Sequence, residues 1–317
     1  MTEQGLFVDW SGAGLELLCM AERVIIGFGD YESDQPCYVK VYIDGKPHSS
    51  YAISTGKENV LLSLKEDFHM ISLFRITEGS VPLIIKGFEF YGAEIGVREQ
   101  KRKRQLRLEF LGDSLTCGYG ILGSHHSEGF KTYEEDVTAG FSWLAAAELE
   151  ADARYIAVSG QGIVKNCNGD IDTPIPLLYD WQTRSGREPA DTSWTPDIII
   201  ISAGTNDRSG GVSKEEFNRG AEDFTSRLRA RHPSADIIWN YGIANDYYCD
   251  TLKALVKKLS EEDSRIHYLK MPQMNFTSEL GTNGHPNQLY SKRAVKTLLP
   301  LLREITDRRD NEDNEDK

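Results

Sequence analysis

The apolar residues of this chain change their period near residue 100, and that change calls for two architectures in one polypeptide. Before it, side chains alternate over short runs. Val39, Val41 and Ile43 interleave with Tyr38, Lys40 and Tyr42 ahead of an Asp44-Gly45 turn signal, and Ile71, Leu73 and Arg75 interleave with Ser72, Phe74 and Ile76. Further strand-like runs lie at 15–20, 24–28, 60–64, 83–85 and 88–91, with no convincing helix among them. Residues 1–100 are therefore expected to form a β-sandwich or jelly-roll accessory domain.

After residue 105 the apolar runs become continuous and alternate with helical patterns. Strands are expected at 107–111, 155–158, 198–202, 237–241 and 266–269, and helices at 142–150, 214–230, 247–260 and 289–305. That alternation predicts an α/β domain over 105–306, with a parallel sheet covered on both faces. In such sheets ligands bind at the carboxyl ends of the strands. Between the domains, Lys101-Arg102-Lys103-Arg104 reads as a solvated linker, and the acidic stretch 307–317 as a disordered tail.

Charge and cysteine usage narrow the function. The chain of 317 residues carries 36 Lys and Arg against 49 Asp and Glu, a net charge of −13, so neither nucleic acid nor an anionic membrane surface is an expected partner. No run approaches the ~20 apolar residues of a membrane helix, and residues 1–10 lack a basic-then-apolar export pattern, so a cytoplasmic location is expected. Five scattered cysteines without a C-x-x-C pair fit free thiols better than a disulfide framework or a zinc site.

Four residues sit just past a strand of the second domain or just before its last helix. Ser114, in Gly112-Asp113-Ser114-Leu115, follows the first strand; it is either a nucleophile at a helix N-terminus or a simple N-cap. Gly160, in Ser159-Gly160-Gln161-Gly162, lets a backbone N–H approach a ligand, or only turns the chain. Asn206, in Gly204-Thr205-Asn206-Asp207, offers an amide donor to an oxyanion, or caps a turn. His285, held extended by Pro286, is the residue type that activates a serine, although the chain has six other histidines. The order of the four along one α/β domain puts them at one rim of the sheet.

These blocks resemble those of the GDSL, or SGNH, hydrolases over about residues 106–305. The preceding sandwich, with Ser159-Gly160-Gln161-Gly162-Ile163-Val164-Lys165-Asn166 and Asn283-Gly284-His285-Pro286-Asn287, resembles carbohydrate esterase family 2, two-domain deacetylases of plant polysaccharides and their oligosaccharides. The resemblance implies a flavodoxin-like three-layer α/β/α domain, Ser114 as nucleophile and His285 as general base. It implies an oxyanion hole from the Ser114 and Gly160 N–H groups and the Asn206 amide. No metal or other cofactor is implied.

One departure is visible. Many SGNH enzymes carry an Asp three residues before the histidine, but Thr282 stands there, followed by Asn283 and Gly284. A Ser–His dyad is therefore expected, with a carbonyl of Thr282 or Asn283 orienting the imidazole and Glu279 as a weaker candidate. Asp113 is read as stabilising its loop, and Cys117 as a buried thiol. Tyr119, Trp181, Trp194, Tyr247 and Tyr248 are candidates for stacking on sugar, and the long segment 172–194 for shaping a pocket. The expected activity is that of a carboxylic ester hydrolase removing acetyl groups from xylo- and manno-oligosaccharides. The alternatives are another acyl-ester hydrolase of lysophospholipase or thioesterase type, and an inactive carbohydrate-binding protein.

Overall fold

A computed structural model of the protein describes residues 5–54, 59–79, 81–99, 106–127, 129–184, 186 and 188–315; the basic run at 101–104 lies outside them. The first region is a sandwich of two antiparallel sheets. One orders its strands β1-β8-β3-β6, with β1 at Leu6–Val8, β3 at Arg23–Phe28, β6 at Asn59–Ser63 and β8 at Leu83–Tyr91. The other runs β5-β4-β7-β2-β9, from β2 (Gly14–Met20), β4 (Cys37–Ile43), β5 (Lys46–Ile53), β7 (Phe68–Arg75) and β9 (Gly96–Arg98). Val24, Ile26, Val39, Val41, Leu62, Ile71 and Leu73 fill the space between them.

Two local departures from the sequence pattern have plain causes. The runs at 83–85 and 88–91 join into the single β8, where Gly87 pairs with Gly27 beside a register shift. The bulge breaks the alternation and splits one strand into two apparent ones. β5 leaves no alternating signature in the sequence because it is an edge strand whose Lys46, Pro47 and His48 face solvent, a composition that suits edges and hides them.

The second region holds a five-stranded parallel sheet of order β11-β10-β12-β13-β14, from β10 (Arg107–Gly112), β11 (Asp152–Ala157), β12 (Ile198–Ser202), β13 (Asp236–Tyr241) and β14 (Ile266–Lys270). The central strands are strongly apolar because both faces are covered, β12 most of all with four consecutive isoleucines. Along β12, Ile199 and Ile201 enter one core, whereas Ile198 and Ile200 enter the other. The first core is closed by α3 (Ile175–Leu178), α5 (Lys214–Arg231) and α6 (Cys249–Ser260), through Phe217, Phe224 and Leu252. The second is closed by α2 (Phe141–Glu148) and α7 (Gln288–Glu315), through Phe141, Tyr290 and Leu298.

The expected disordered tail is instead helix: α7 continues through Glu315. Arg309 Nη2 reaches Asp197 Oδ1 at 3.0 Å and its Nη1 reaches Asp236 Oδ2 at 3.2 Å; Arg308 also pairs with Asp236, which is fully buried. A count of acidic residues misses this, because two arginines within the stretch neutralise carboxylates on the sheet's amino edge. A buried charge left unpaired is costly, so these pairs hold the helix down.

The two regions pack on each other. Ile76, just past β7, enters the second core, its carbonyl accepts the Val137 N–H at 3.0 Å, and Lys40 pairs with buried Asp136 at 2.9 Å.

Candidate active site

The chain leaves β10 to one side of the sheet and then to the other, so β10 lies at the point where strand order reverses, the usual place for a site in an open α/β sheet. Asp113 caps the short α1 (Ser114–Cys117), its Oδ1 accepting the Leu115 N–H at 3.0 Å. Ser114 is the first residue of α1, and its N–H meets no acceptor among the described residues.

His285 arrives from 171 residues away, and its Nε2 lies 2.8 Å from Ser114 Oγ. The loop that carries it is tightly built. A 3-10 turn at Thr282–Gly284 has Asn283 at φ +52°, Gly281 N–H donates to the His285 carbonyl at 2.6 Å, and Leu280 bridges to Pro286. His285 is extended, as the following proline requires. Its Nδ1 lies 3.3 Å from the Asn283 carbonyl, whereas the Thr282 carbonyl accepts the backbone N–H of His285. Of the two candidate orienters, Asn283 makes the contact with Nδ1, and the Thr282 carbonyl also favours the charged ring. Burial draws the imidazolium below its ordinary pKa; the Asn283 and Thr282 carbonyls and the Glu78 charge oppose that without reversing it. That direction favours the neutral ring, the form that can accept a proton.

Glu279 does not approach the imidazole's partners. It pairs with Arg293 and accepts the Asn275 N–H at 2.7 Å, which ties the start of the histidine loop to α7.

Gly160 adopts φ +83°, a left-handed conformation suited to glycine, and its N–H has no acceptor among the described residues. The loop around it is clamped by Asp207, whose carboxylate accepts the Ile163, Val164 and Lys165 N–H groups at 2.9, 2.7 and 3.2 Å. Gly162 lets that carboxylate in, since a Cβ there would sit 2.7 Å from Asp207 Oδ2.

Asn206 lies at the start of α4 (Thr205–Ser209), and its Nδ2 donates to Asp113 Oδ2 and to the Gln161 carbonyl, each at 2.9 Å. Both amide protons are thus already engaged. Asp113 is more than a loop stabiliser: it caps the helix that Ser114 begins and also holds the Asn206 amide. Burial, with the Asp207 and Glu78 charges, pushes its carboxyl up to about 7 against the Leu115 N–H, which draws it down.

The aromatic candidates scatter. Tyr119 belongs to the site: its ring lies 4.5 Å from the His285 ring and stacks on Phe130 at 3.9 Å, and its hydroxyl accepts from Asn283 Nδ2 at 3.0 Å. Tyr247, past the carboxyl end of β13, lies under Arg208 and Lys214 at 4.1 and 5.0 Å. Tyr248 is fully buried and donates to the Val212 carbonyl, a core role. Trp194 and Trp181 are at the wrong end of the sheet. Trp194 donates to Asp152, the first residue of β11, and both tryptophans line a cavity of about 420 Å³ with Trp10 and Arg154. The reason is topological: the segment from β11 to β12 must return to the amino edge, and Trp194 lies four residues before β12.

Cys117 is fully buried, and burial raises its thiol well above the ordinary range, so it is no nucleophile. Among the described residues, the one cluster of three possible metal-ligating groups is Glu78, Cys117 and Glu135. The sequence pointed to Asp207 only by its place beside Asn206, and it gave no sign of Phe130 or Glu78.

The model of the GDSL-like lipase/acylhydrolase family matches residues 110–290. A cellulase/esterase, CelE, of Acetivibrio thermocellus is 25% identical over 92% of this chain, which spans only 37% of the CelE length. An acetylxylan esterase/glucomannan deacetylase of Cellvibrio japonicus is 26% identical over 96% of this chain and 86% of its own. The solved structure of a family two carbohydrate esterase from Clostridium thermocellum in complex with cellohexaose superposes with a TM-score of 0.89, at 24% identity, over 96% of this chain and 95% of that one.

Proposed function

This chain belongs to the GDSL-like lipase/acylhydrolase family, and from that premise we propose that it removes O-acetyl groups from sugar hydroxyls of xylo- and manno-type oligosaccharides. The 2.8 Å contact between Ser114 Oγ and His285 Nε2, beside two unengaged backbone N–H groups, carries the reading. The names of the Cellvibrio and Acetivibrio relatives support the substrate class.

The chemistry follows from the geometry. A serine hydroxyl is a weak nucleophile until a base takes its proton. As Ser114 Oγ attacks the acetyl carbonyl, His285 Nε2 accepts that proton, and the Asn283 carbonyl at Nδ1 stabilises the imidazolium. The tetrahedral oxyanion is received by the Ser114 and Gly160 N–H groups, and Asn206 Nδ2 joins by loosening its bond to the Gln161 carbonyl. Collapse passes the proton from His285 to the departing sugar oxygen and leaves acetyl on Ser114. A water deprotonated by His285 then releases acetate and restores the serine. Tyr119, wedged between His285 and Phe130, offers a ring face for the sugar. All five cysteines carry free thiols, which supports action in a reducing compartment.

Mass spectrometry of acetylated manno- and xylo-oligosaccharides tests the proposal. The expected result is stepwise loss of acetyl with the wild type and none with Ser114→Ala. Preference for octanoyl over acetyl esters in a chain-length series would move the function to a lipid or thioester substrate, and equal, negligible turnover by both proteins would make this a binding protein.

A further inference from the structure

The Gly160 N–H is free because its neighbours are not. Among residues 159–165, Gln161 N–H donates to the Val158 carbonyl at 3.3 Å, Gly162 N–H to Asn166 Oδ1 at 3.3 Å, and the next three to Asp207. The remaining tether comes from the other domain: Ser159 N–H donates to Glu78 Oε2 at 2.9 Å. Beyond Gly160 its own carbonyl accepts the Cys167 N–H at 2.8 Å. The peptide units on both sides of the Gly160 N–H are therefore fixed, one of them by the β-sandwich.

We propose that Glu78 is a positioning residue for the oxyanion hole, by which the sandwich sets the direction of the Gly160 N–H. This rests on the esterase reading above and assigns the accessory domain a part in the chemistry, not merely a place beside it.

The sandwich holds Glu78 firmly enough for that task. Arg75, fully buried at the end of β7, spends its guanidinium on the loop: Nε donates to the Thr77 carbonyl at 2.8 Å, and Nη1 to the Val8 and Val81 carbonyls, each at 3.0 Å. Thr77 Oγ1 accepts the Tyr38 N–H at 3.1 Å, and Glu78 N–H donates to Glu135 Oε1 at 2.8 Å. Burial and the Glu78 charge push Glu135 well above the usual carboxyl range. Cys117, the third member of the cluster, reaches the Ser114 carbonyl at 3.8 Å and Ser159 Oγ at 3.7 Å, which joins the serine's helix to the same tether. With Glu78 Oε2 accepting the Ser159 N–H, Glu135 Oε1 accepting the Glu78 N–H and Cys117 bonded to both Ser114 and Ser159, the cluster is a hydrogen-bonded brace.

The titratable groups around this unit are few. Arg184 lies 3.7 Å from Glu78 Oε2 on the solvent side, with Glu135 and Cys117 on the inner side. Around His285 stand Tyr119, against its ring, Glu134, which accepts the Thr282 hydroxyl at 3.0 Å, and Asp113 below Ser114. The Glu78 charge favours the protonated imidazole. Two separable effects follow. The acceptor oxygen on residue 78 acts on kcat through the oxyanion hole, and its charge adds a smaller contribution, beside the dominant burial, to the pH at which His285 titrates.

Hydrolysis of 4-nitrophenyl acetate by the full chain reads both. Glu78→Ala, which frees the Ser159 N–H, is expected to lower kcat about 10- to 100-fold, within the loss seen when an oxyanion donor is removed, with KM changed by less than about threefold. Glu78→Gln keeps an oxygen acceptor without the charge. It is expected to hold plateau kcat within about threefold and to move the acid limb of kcat/KM to lower pH, retaining about two to three times more of its plateau activity than wild type in acid. Glu78→Ala folded but within twofold of wild-type kcat overturns the proposal, as does an unmoved acid limb in Glu78→Gln. If the alanine variant does not fold, the glutamine variant decides. Wild type against Ser114→Ala in the same assay judges the esterase reading separately.

Discussion

The two ends of β10 carry nearly the same groups, and only one of them is built for acyl transfer. At the carboxyl end are a serine hydroxyl, an imidazole drawn below its ordinary pKa and Asp113, pushed up to about 7. At the amino end are the Tyr179 hydroxyl, 2.6 Å from His232 Nε2, and buried Glu109, likewise pushed up to about 7. Burial and the charges of Arg231, Arg154 and Arg229 push His232 down to about 4. A hydroxyl touching a neutral imidazole is thus not sufficient. The carboxyl end adds two unengaged N–H groups and a carbonyl at the far ring nitrogen. The amino end surrounds its imidazole with guanidinium groups, which oppose the cation a base must become, and leaves His232 Nδ1 with no hydrogen-bond partner. Function follows from the donors around the pair.

The sharpest test of that contrast removes each hydroxyl. Ser114→Ala or His285→Ala is expected to lower kcat/KM by roughly 10⁴-fold or more, the scale of a lost nucleophile or base. Tyr179→Phe is expected to leave kcat/KM within about twofold and to cost stability of about 1 kcal/mol, a typical hydrogen bond. Parallel kinetics and thermal melts read both, and a comparable loss of activity from the two ends would erase the distinction.

The next effect concerns the donors. Asn206→Ala is expected to cost about 10²–10³ in kcat with KM little changed. Since both Nδ2 protons are engaged in the resting structure, a loss below tenfold would assign the oxyanion to the two backbone N–H groups alone.

The pH profile compares the imidazoles at smaller scale. In the proposed mechanism His285 works as the neutral base, and burial lowers its pKa, so activity is expected to persist to a midpoint below 6.5 and then fall about tenfold per pH unit. Asp113, near 7, is the competing titration. A midpoint near 7 that Asp113→Asn abolishes would assign the limb to the aspartate.

Much of this was legible in residue order. The switch from alternating to continuous apolar runs separates the sandwich from the parallel sheet, because a sheet with one wet face and a sheet with none bury different patterns. The Gly112-Asp113-Ser114 turn and the His285-Pro286 step lie at the rim because strand ends must. What stayed hidden depends on long-range packing. Glu78 stands 36 positions before Ser114 in a domain with no catalytic motif, and it meets Ser159 only when the domains dock. Trp181 and Trp194 were misplaced because a crossover visits both ends of the sheet, and proximity in sequence to one strand end does not say which. The helical tail was hidden because Arg308 and Arg309 answer carboxylates 72 to 112 residues away.

The smallest effect bears on how the carboxyl end orients its base without a carboxylate at position 282. Glu279 is the acidic residue of the histidine loop, yet its oxygens are committed to Arg293 and to the Asn275 N–H, while its carbonyl accepts the Asn287 N–H at 2.9 Å. It anchors the loop at its base and leaves Nδ1 to the Asn283 carbonyl. A glutamine keeps most of those acceptors and loses the ion pair between this buried carboxylate and a partly exposed guanidinium, a loss that falls on the anchoring of the loop and not on the imidazole. Glu279→Gln is therefore expected to keep kcat within about threefold and to leave the acid limb where it was. A carboxylate that oriented the imidazole would behave otherwise, because its loss removes the charge that stabilises the imidazolium and drops kcat by orders of magnitude. A collapse comparable to that of His285→Ala would return the carboxylate to the mechanism and leave the Asn283 carbonyl as a bystander.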